Sequence, residues 1–125
     1  MGKQTTIHEQ VLNTQSTDDL MDLYDDWAAR YDQDVNDTWG YSGPERTSCW
    51  LRRYLAPGGA RVLDAGCGTG LVAVALSKGG FMRIDGVDYS TAMLAEAAKK
   101  NVYQQLQKMN MNAALPIDAG AYDGV

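Results

Sequence analysis

The sequence holds one histidine and two cysteines, Cys49 and Cys67, in 125 residues. With no CxxC pair and no histidine-rich cluster beside them, they make neither a disulfide framework nor a metal site, and a reducing cytoplasm is the expected compartment. The histidine, His8, falls in a polar N-terminal tail and reads as a solvated bystander. No apolar run approaches the ~18 residues needed to span a bilayer, and the polar start lacks a secretory core, so no membrane partner is expected. The opening Met1-Gly2-Lys3-Gln4-Thr5-Thr6 has the form of a myristoylation signal, but such short patterns are often met by chance, and an unmodified tail is the better reading. Basic residues are scarce as well: 11 Lys and Arg against 16 Asp and Glu leave a charge of -5. Asp18, Asp19, Asp22, Asp25, Asp26, Asp32, Asp34 and Asp37 crowd the N-terminal third. That surface repels nucleic acid and anionic lipid, so no nucleic-acid partner is expected and a small-molecule one is.

What is present is the composition of an ordinary soluble globular domain, 45% hydrophobic and 22% charged, which sets aside disordered and collagen-like chains. Residues 1–15 lack periodicity and read as a flexible tail. Ser16-Thr17-Asp18-Asp19 is a helix-capping pattern, and Leu20, Leu23, Tyr24, Trp27, Tyr31 and Val35 then recur at spacings of three and four. They predict an amphipathic helix with the aspartates on its other side. A Trp39-to-Gly43 turn follows. Ser42, Pro44 and Glu45 start a second helix that carries Trp50, Leu51, Tyr54 and Leu55 inward and stops at Pro57-Gly58-Gly59. Residues 16–58 are thus a helical cap. From residue 59 strands alternate with helices: strand Arg61–Ala65, helix Gly70–Lys78, strand Arg83–Asp88, helix Thr91–Lys100, strand Gln105–Met109, and the start of another strand at Tyr122–Val125. This alternation predicts an α/β fold built on a parallel, Rossmann-like sheet.

The run Val62-Leu63-Asp64-Ala65-Gly66-Cys67-Gly68-Thr69-Gly70-Leu71 puts three glycines in the first strand-to-helix turn, where a missing side chain lets backbone approach a ligand. The dinucleotide fingerprint GxGxxG wants its third glycine where Leu71 stands. Asp64, at the carboxyl end of the strand, would repel a nearby phosphate by roughly 3 kcal/mol per unit charge. A pyrophosphate is a poor guest there, and a ligand bringing an ammonium and a sulfonium a good one. Asp88 ends the second strand about 20 residues past the loop, where a carboxylate accepts from ribose hydroxyls. It could instead cap the next helix, a task Ser90 already offers to do. At the third strand's end Asn110 could pair with an adenine edge and Met111 pack on its face, although both also suit a simple loop. Cys67 reads as a small packing residue.

The segments VLDAGCGTGL, GVDYSTAML (Gly86 to Leu94), LP and YDGV resemble class I S-adenosylmethionine-dependent methyltransferases. YDDWAARYDQDV (Tyr24 to Val35) and KKNVYQQL (Lys99 to Leu106) narrow the likeness to the Williams-Beuren syndrome region methyltransferase-like group. The resemblance implies that Asp64, Gly66 and Gly70 line the methionine and sulfonium end, that Asp88 holds the ribose, and that Tyr89 and Met93 flank the adenosine. The family often has an acidic residue where Asn110 stands; an asparagine still accepts through its oxygen. In related enzymes the N-terminal helix closes over the cofactor, which brings in Tyr31 and Trp27, for both of which core packing is the competing role. The expected cofactor set is therefore Asp64, Ala65, Gly66, Cys67, Gly68, Gly70, Asp88, Tyr89, Met93, Asn110, Met111, Tyr31 and Trp27, with S-adenosylmethionine as cofactor, S-adenosylhomocysteine as product and no metal. The sequence names no catalytic base.

By the family's sheet order 3-2-1-4-5-7-6, a chain stopping in strand four leaves an exposed edge, and the expectation is a truncated sheet that pairs with a second copy. Three functions compete: methyl transfer to a small-molecule acceptor, a non-catalytic cofactor-binding module, and a nicotinamide-dependent oxidoreductase, which calls for glycine at position 71.

Overall fold

Strand β1 (Arg61–Ala65) is apolar on both faces, with Val62 and Leu63 both buried, as befits a strand covered on two sides. It lies parallel to β2 (Arg83–Asp88) with Asp64 opposite Gly86, and β2 lies parallel to β3 (Gln105–Lys108) with Asp85 opposite Gln105. On the far side of β1, Gly124 makes a parallel bridge to Val62, and its carbonyl accepts from the Leu63 amide at 2.9 Å. The predicted α/β architecture and three of its strands are thus observed, with the fourth represented by a single bridge. The computed structural model describes residues 16–34 and 42–125. The predicted tail with its myristoylation pattern, His8, Asp37, Val35 and the Trp39–Tyr41 part of the turn lie outside them.

Helix α1 (Thr17–Trp27) starts where expected: the Asp19 amide donates to the Ser16 hydroxyl at 3.1 Å. It does not run on through Tyr31. The chain tightens into a 3₁₀ turn at Ala28–Arg30 and resumes as the short α2 (Tyr31–Gln33), turning the Tyr31 side out of register with α1. Helix α3 (Gly43–Arg52) has Pro44 in its first turn, but the Ser42 side chain makes no capping bond. Only part of its expected inner face is buried. Leu51 and Leu55 pack on the core, whereas Trp50 and Tyr54 are 56% and 75% exposed, Trp50 with Arg53 across its ring at 4.9 Å. Helix α3 offers one narrow stripe to α4 (Leu71–Lys78); Trp50 lies about 100° round from Leu51 on that helix, and Tyr54 lies in the turn beyond the helix end at Arg52, short of the predicted stop at Pro57.

The main core lies between α3, α4 and one sheet face: Ala60, Val62, Ala73, Leu76, Phe81 and Ile84, with Val102 and Tyr103 at its margin. Helix α5 (Thr91–Ala98), capped by Ser90, buries Met93 and Ala97 and meets α1. Its end is turned by Asn101, which adopts a left-handed φ of 57°. On the opposite sheet face Asp85 accepts from the Tyr122 hydroxyl at 2.7 Å, which ties the loop before Gly124 to the sheet and raises the Tyr122 phenol above its ordinary range. Among the described residues no helix is long and apolar enough to cross a membrane.

Candidate functional site

The parallel strands all end on one side, and the β1–α4 and β2–α5 turns meet there, which is where open α/β sheets bind ligands. Gly66, Gly68 and Gly70 all take positive φ, at 68°, 56° and 93°, so the loop Ala65–Gly70 follows a path closed to larger residues. Asp88 fastens this loop. One carboxylate oxygen accepts from the Gly68 amide at 2.8 Å and the other from the Ser90 amide at 2.9 Å, while the Ser90 hydroxyl caps α5 by accepting from the Met93 amide. Asp88 therefore does not compete with Ser90 for the helix cap; it joins the glycine loop to the second turn. Its oxygens keep further lone pairs for a ligand.

Asp64 sits beneath the loop and accepts from the Tyr103 hydroxyl at 2.7 Å. Burial raises its carboxyl above the usual range, Tyr103 pulls it part of the way back, and the charge of Asp88 adds to the rise. Burial also lifts the Cys67 thiol to about 12, with Asp64 and Asp88 contributing, so this cysteine is a packing residue rather than a nucleophile.

The N-terminal segment covers the site from outside. The acids predicted to face solvent divide into two groups. Asp18, Asp19, Asp22, Asp25 and Asp26 are exposed, yet Asp25 accepts from Ser90, and the half-buried Asp32 and Asp34 reach inward, Asp32 accepting from Thr69 and from Lys100 Nζ at 2.5 Å and Asp34 from the indole N–H of Trp27 at 2.6 Å. Lys100 also donates to the Thr69 carbonyl at 3.0 Å, so Asp32 and Lys100 close a bridge over the glycine loop. Trp27 is 3% exposed and meets Tyr31 edge to face, with centroids 4.6 Å apart.

Between this cover and the strand ends lies a cavity of about 240 Å³. Of the expected site residues, Tyr31, Gly66, Gly68, Asp88, Tyr89, Met93 and Met111 line it. Asp64, Ala65, Cys67 and Gly70 lie in or under the loop away from its lining. Trp27 is packed inside the cover, and Asn110 turns aside, its side-chain oxygen accepting from the Asn112 amide at 3.0 Å. Two further residues line the cavity: Met21, which the helical pattern did not include, and Tyr24, which was placed on the apolar stripe without a site role. The signal was there: Met21, Tyr24, Ala28 and Tyr31 recur at spacings of three, four and three, a stripe that shares Tyr24 and Tyr31 with the one already described. Burial and the Asp88 charge raise the Tyr24 phenol, which keeps it a hydrogen-bond donor. Ser90 caps α5 as its place before the helix predicts, whereas its bond to Asp25 and the roles of Tyr103 and Thr69 had no local signal.

The chemistry of the lining is specific. Among the described residues no side chain lining the cavity is basic, which disfavours a phosphate, and three methionines beside an anchored carboxylate suit an apolar ring joined to a polyol.

Comparison with known proteins agrees. The methyltransferase domain family matches residues 62–125. Human methyltransferase-like protein 27 is 41% identical over 106 residues, which cover 82% of this chain and 43% of that protein. Mouse EEF1A lysine methyltransferase 2 is 28% identical over 106 residues, covering 74% and 43%. Among solved structures, the CcbJ methyltransferase from Streptomyces caelestis superposes with a TM-score of 0.60 at 24% identity, over 78% of this chain and 39% of that one, a likeness of fold. The chain thus spans less than half the length of these relatives. With the family's segments, the 3-2-1 part of its strand order and its glycine-loop geometry present, this chain belongs to the class I S-adenosylmethionine-dependent methyltransferases.

Proposed function

We propose that this chain binds S-adenosylmethionine between its N-terminal cover and the strand ends, and that the protein it represents transfers the methyl group to a nucleophilic atom of a small-molecule acceptor. The observation that carries this reading is the convergence on one cavity of Gly66, Gly68, Asp88, Tyr89, Met93 and Met111. At about 240 Å³ the cavity is below the ~300–1,000 Å³ usual for a whole drug-sized ligand, so it suits the nucleoside part. The amino-acid part would lie along the glycine loop toward Asp64.

The cofactor supplies a methyl already activated on a sulfonium, so the protein's task is alignment and exclusion of water. Asp88, held by the Gly68 and Ser90 amides, offers fixed acceptors to ribose hydroxyls. Met21, Met93 and Met111 give adenine a polarizable apolar bed, and Tyr24 and Tyr31 close the cavity from the cover. Asp64 places negative charge under the loop where an ammonium would sit.

Calorimetric titration with S-adenosylhomocysteine, with NAD as control, tests the reading. Saturable binding of the first alone is expected; a folded chain that binds neither, or that binds NAD, overturns it. A protein acceptor is the second reading, favoured by the exposed Asp18, Asp19, Asp22 and Asp26, which would attract a basic segment. Transfer of labelled methyl by the whole protein into protein rather than into small molecules would establish it.

A further inference from the structure

Gly86 has no side chain, and the space it leaves is filled. A Cβ built there would lie 2.7 and 3.0 Å from two carbons of the Tyr103 ring. Tyr103 stands just before β3, and Gly86 is the β2 residue paired with Asp64 of β1. The ring therefore crosses β2 through the gap at Gly86 and delivers its hydroxyl to Asp64 at 2.7 Å. Its far edge touches the glycine loop: a Cβ on Gly70 would be 3.2 Å from the ring and 3.3 Å from the phenol oxygen. Asp64 and Gly70 from the glycine run, Gly86 from β2 and Tyr103 from the segment before β3 come from three separate stretches of sequence and make one unit.

We propose that Tyr103 is a positioning residue, which holds the Asp64 carboxylate in a fixed place under the glycine loop so that its charge meets the ammonium of the bound cofactor. The inference rests on the cofactor site proposed above and adds to it a residue outside the cavity. Two features support it beyond packing. The ring packs against backbone at Gly86 and at Gly70, so two sides of it are fixed by the sheet and the glycine loop, which aims its hydroxyl at Asp64. Burial and the neighbouring Asp64 also raise the Tyr103 phenol strongly, so it remains a donor at every working pH. The groups that face Asp64 are Tyr103 from the segment before β3, Asp88 from the end of β2, and Cys67 from the loop itself. Tyr103 is the one among them that favours the charged carboxylate.

Tyr103→Phe keeps the ring in the Gly86 gap and removes only the donor. Two readouts go with it: the carbon-13 carboxyl titration of Asp64 without ligand, and calorimetry with S-adenosylhomocysteine across pH. Expected are an upward move of the Asp64 midpoint and binding about tenfold weaker at neutral pH, with the loss growing as pH falls. In an Asp64→Asn background, itself at least as weak, Tyr103→Phe should change affinity by less than about twofold, because the two act as one unit. An unmoved midpoint with wild-type affinity would make Tyr103 a filler of the gap and end the proposal. So would an Asp64→Asn variant that binds like wild type, or a Tyr103→Phe loss that persists in full in that background. If the wild-type chain binds no S-adenosylhomocysteine, the cofactor site falls and this role with it, a result distinct from a change confined to the variants.

Discussion

Replacing Asp88 with alanine should cost both stability and ligand binding, and the structure gives the size of the first. The carboxylate accepts from the Gly68 amide at 2.8 Å and the Ser90 amide at 2.9 Å. Hydrogen bonds to a charged acceptor are each worth roughly 1.5–3 kcal/mol. Both bonds are only part-buried, so water can reach the freed amides and recover about half of that. Losing Asp88 also relieves the repulsion it exerts on Asp64. A net loss of about 2 kcal/mol follows, which for a chain of this size lowers Tm by about 8 °C. Asp88→Asn keeps one acceptor and should lose about half as much. Thermal and urea unfolding followed by far-UV circular dichroism read the stability, and calorimetry with S-adenosylhomocysteine reads the site, where Asp88→Ala should bind at least about a hundredfold more weakly because two ribose hydroxyls lose their acceptor. An Asp88→Ala chain within about 0.5 kcal/mol of wild type would refute the tether; one that keeps its affinity would refute the ribose role.

Asp64→Asn separates function from stability. Because burial holds the folded Asp64 carboxyl above its ordinary value, the native state binds more protons than the unfolded chain just above that value, and this contribution is fully present at low pH and lost as pH rises through the raised one. The asparagine variant should therefore be at least as stable as wild type at neutral pH, with the difference vanishing in acid; urea midpoints at two pH values check this. Asp32→Ala breaks the bridge to Lys100 and Thr69 and should let the segment around exposed Arg30 open and be cut by trypsin several-fold faster for a loss of about 1 kcal/mol; an unchanged digestion rate would deny the bridge a role in holding the cover. At pH 8 a thiol reagent should label exposed Cys49 and spare Cys67, which is buried and raised to about 12, until urea unfolds the chain. Mass spectrometry after labelling shows which residue has reacted.

Local pattern alone determined a great deal here. The strands at Arg61 and Arg83, the helices at Leu71 and Thr91, the cap at Ser16 and the glycine turn between them all rest on short-range signals: periodicity, a capping hydroxyl, and glycines where φ must be positive. The parallel order followed from the alternation of elements, and the place of Asp88 from its distance past the loop. Other features depended on what each side chain met across space. Trp50 and Tyr54 have the composition of a core and lie outside it, because a helix face is buried only if another element covers it. Aspartates that read as a solvated face include three that hold hydroxyl, ammonium or indole donors, because the cover folds back on the loop. Asn110 left the cavity by bonding to its own turn. Above all, the partnership of Tyr103 with Asp64 exists only once parallel pairing sets Gly86 between them, and pairing register is a property of the sheet, decided by burial on both faces and invisible in any one strand.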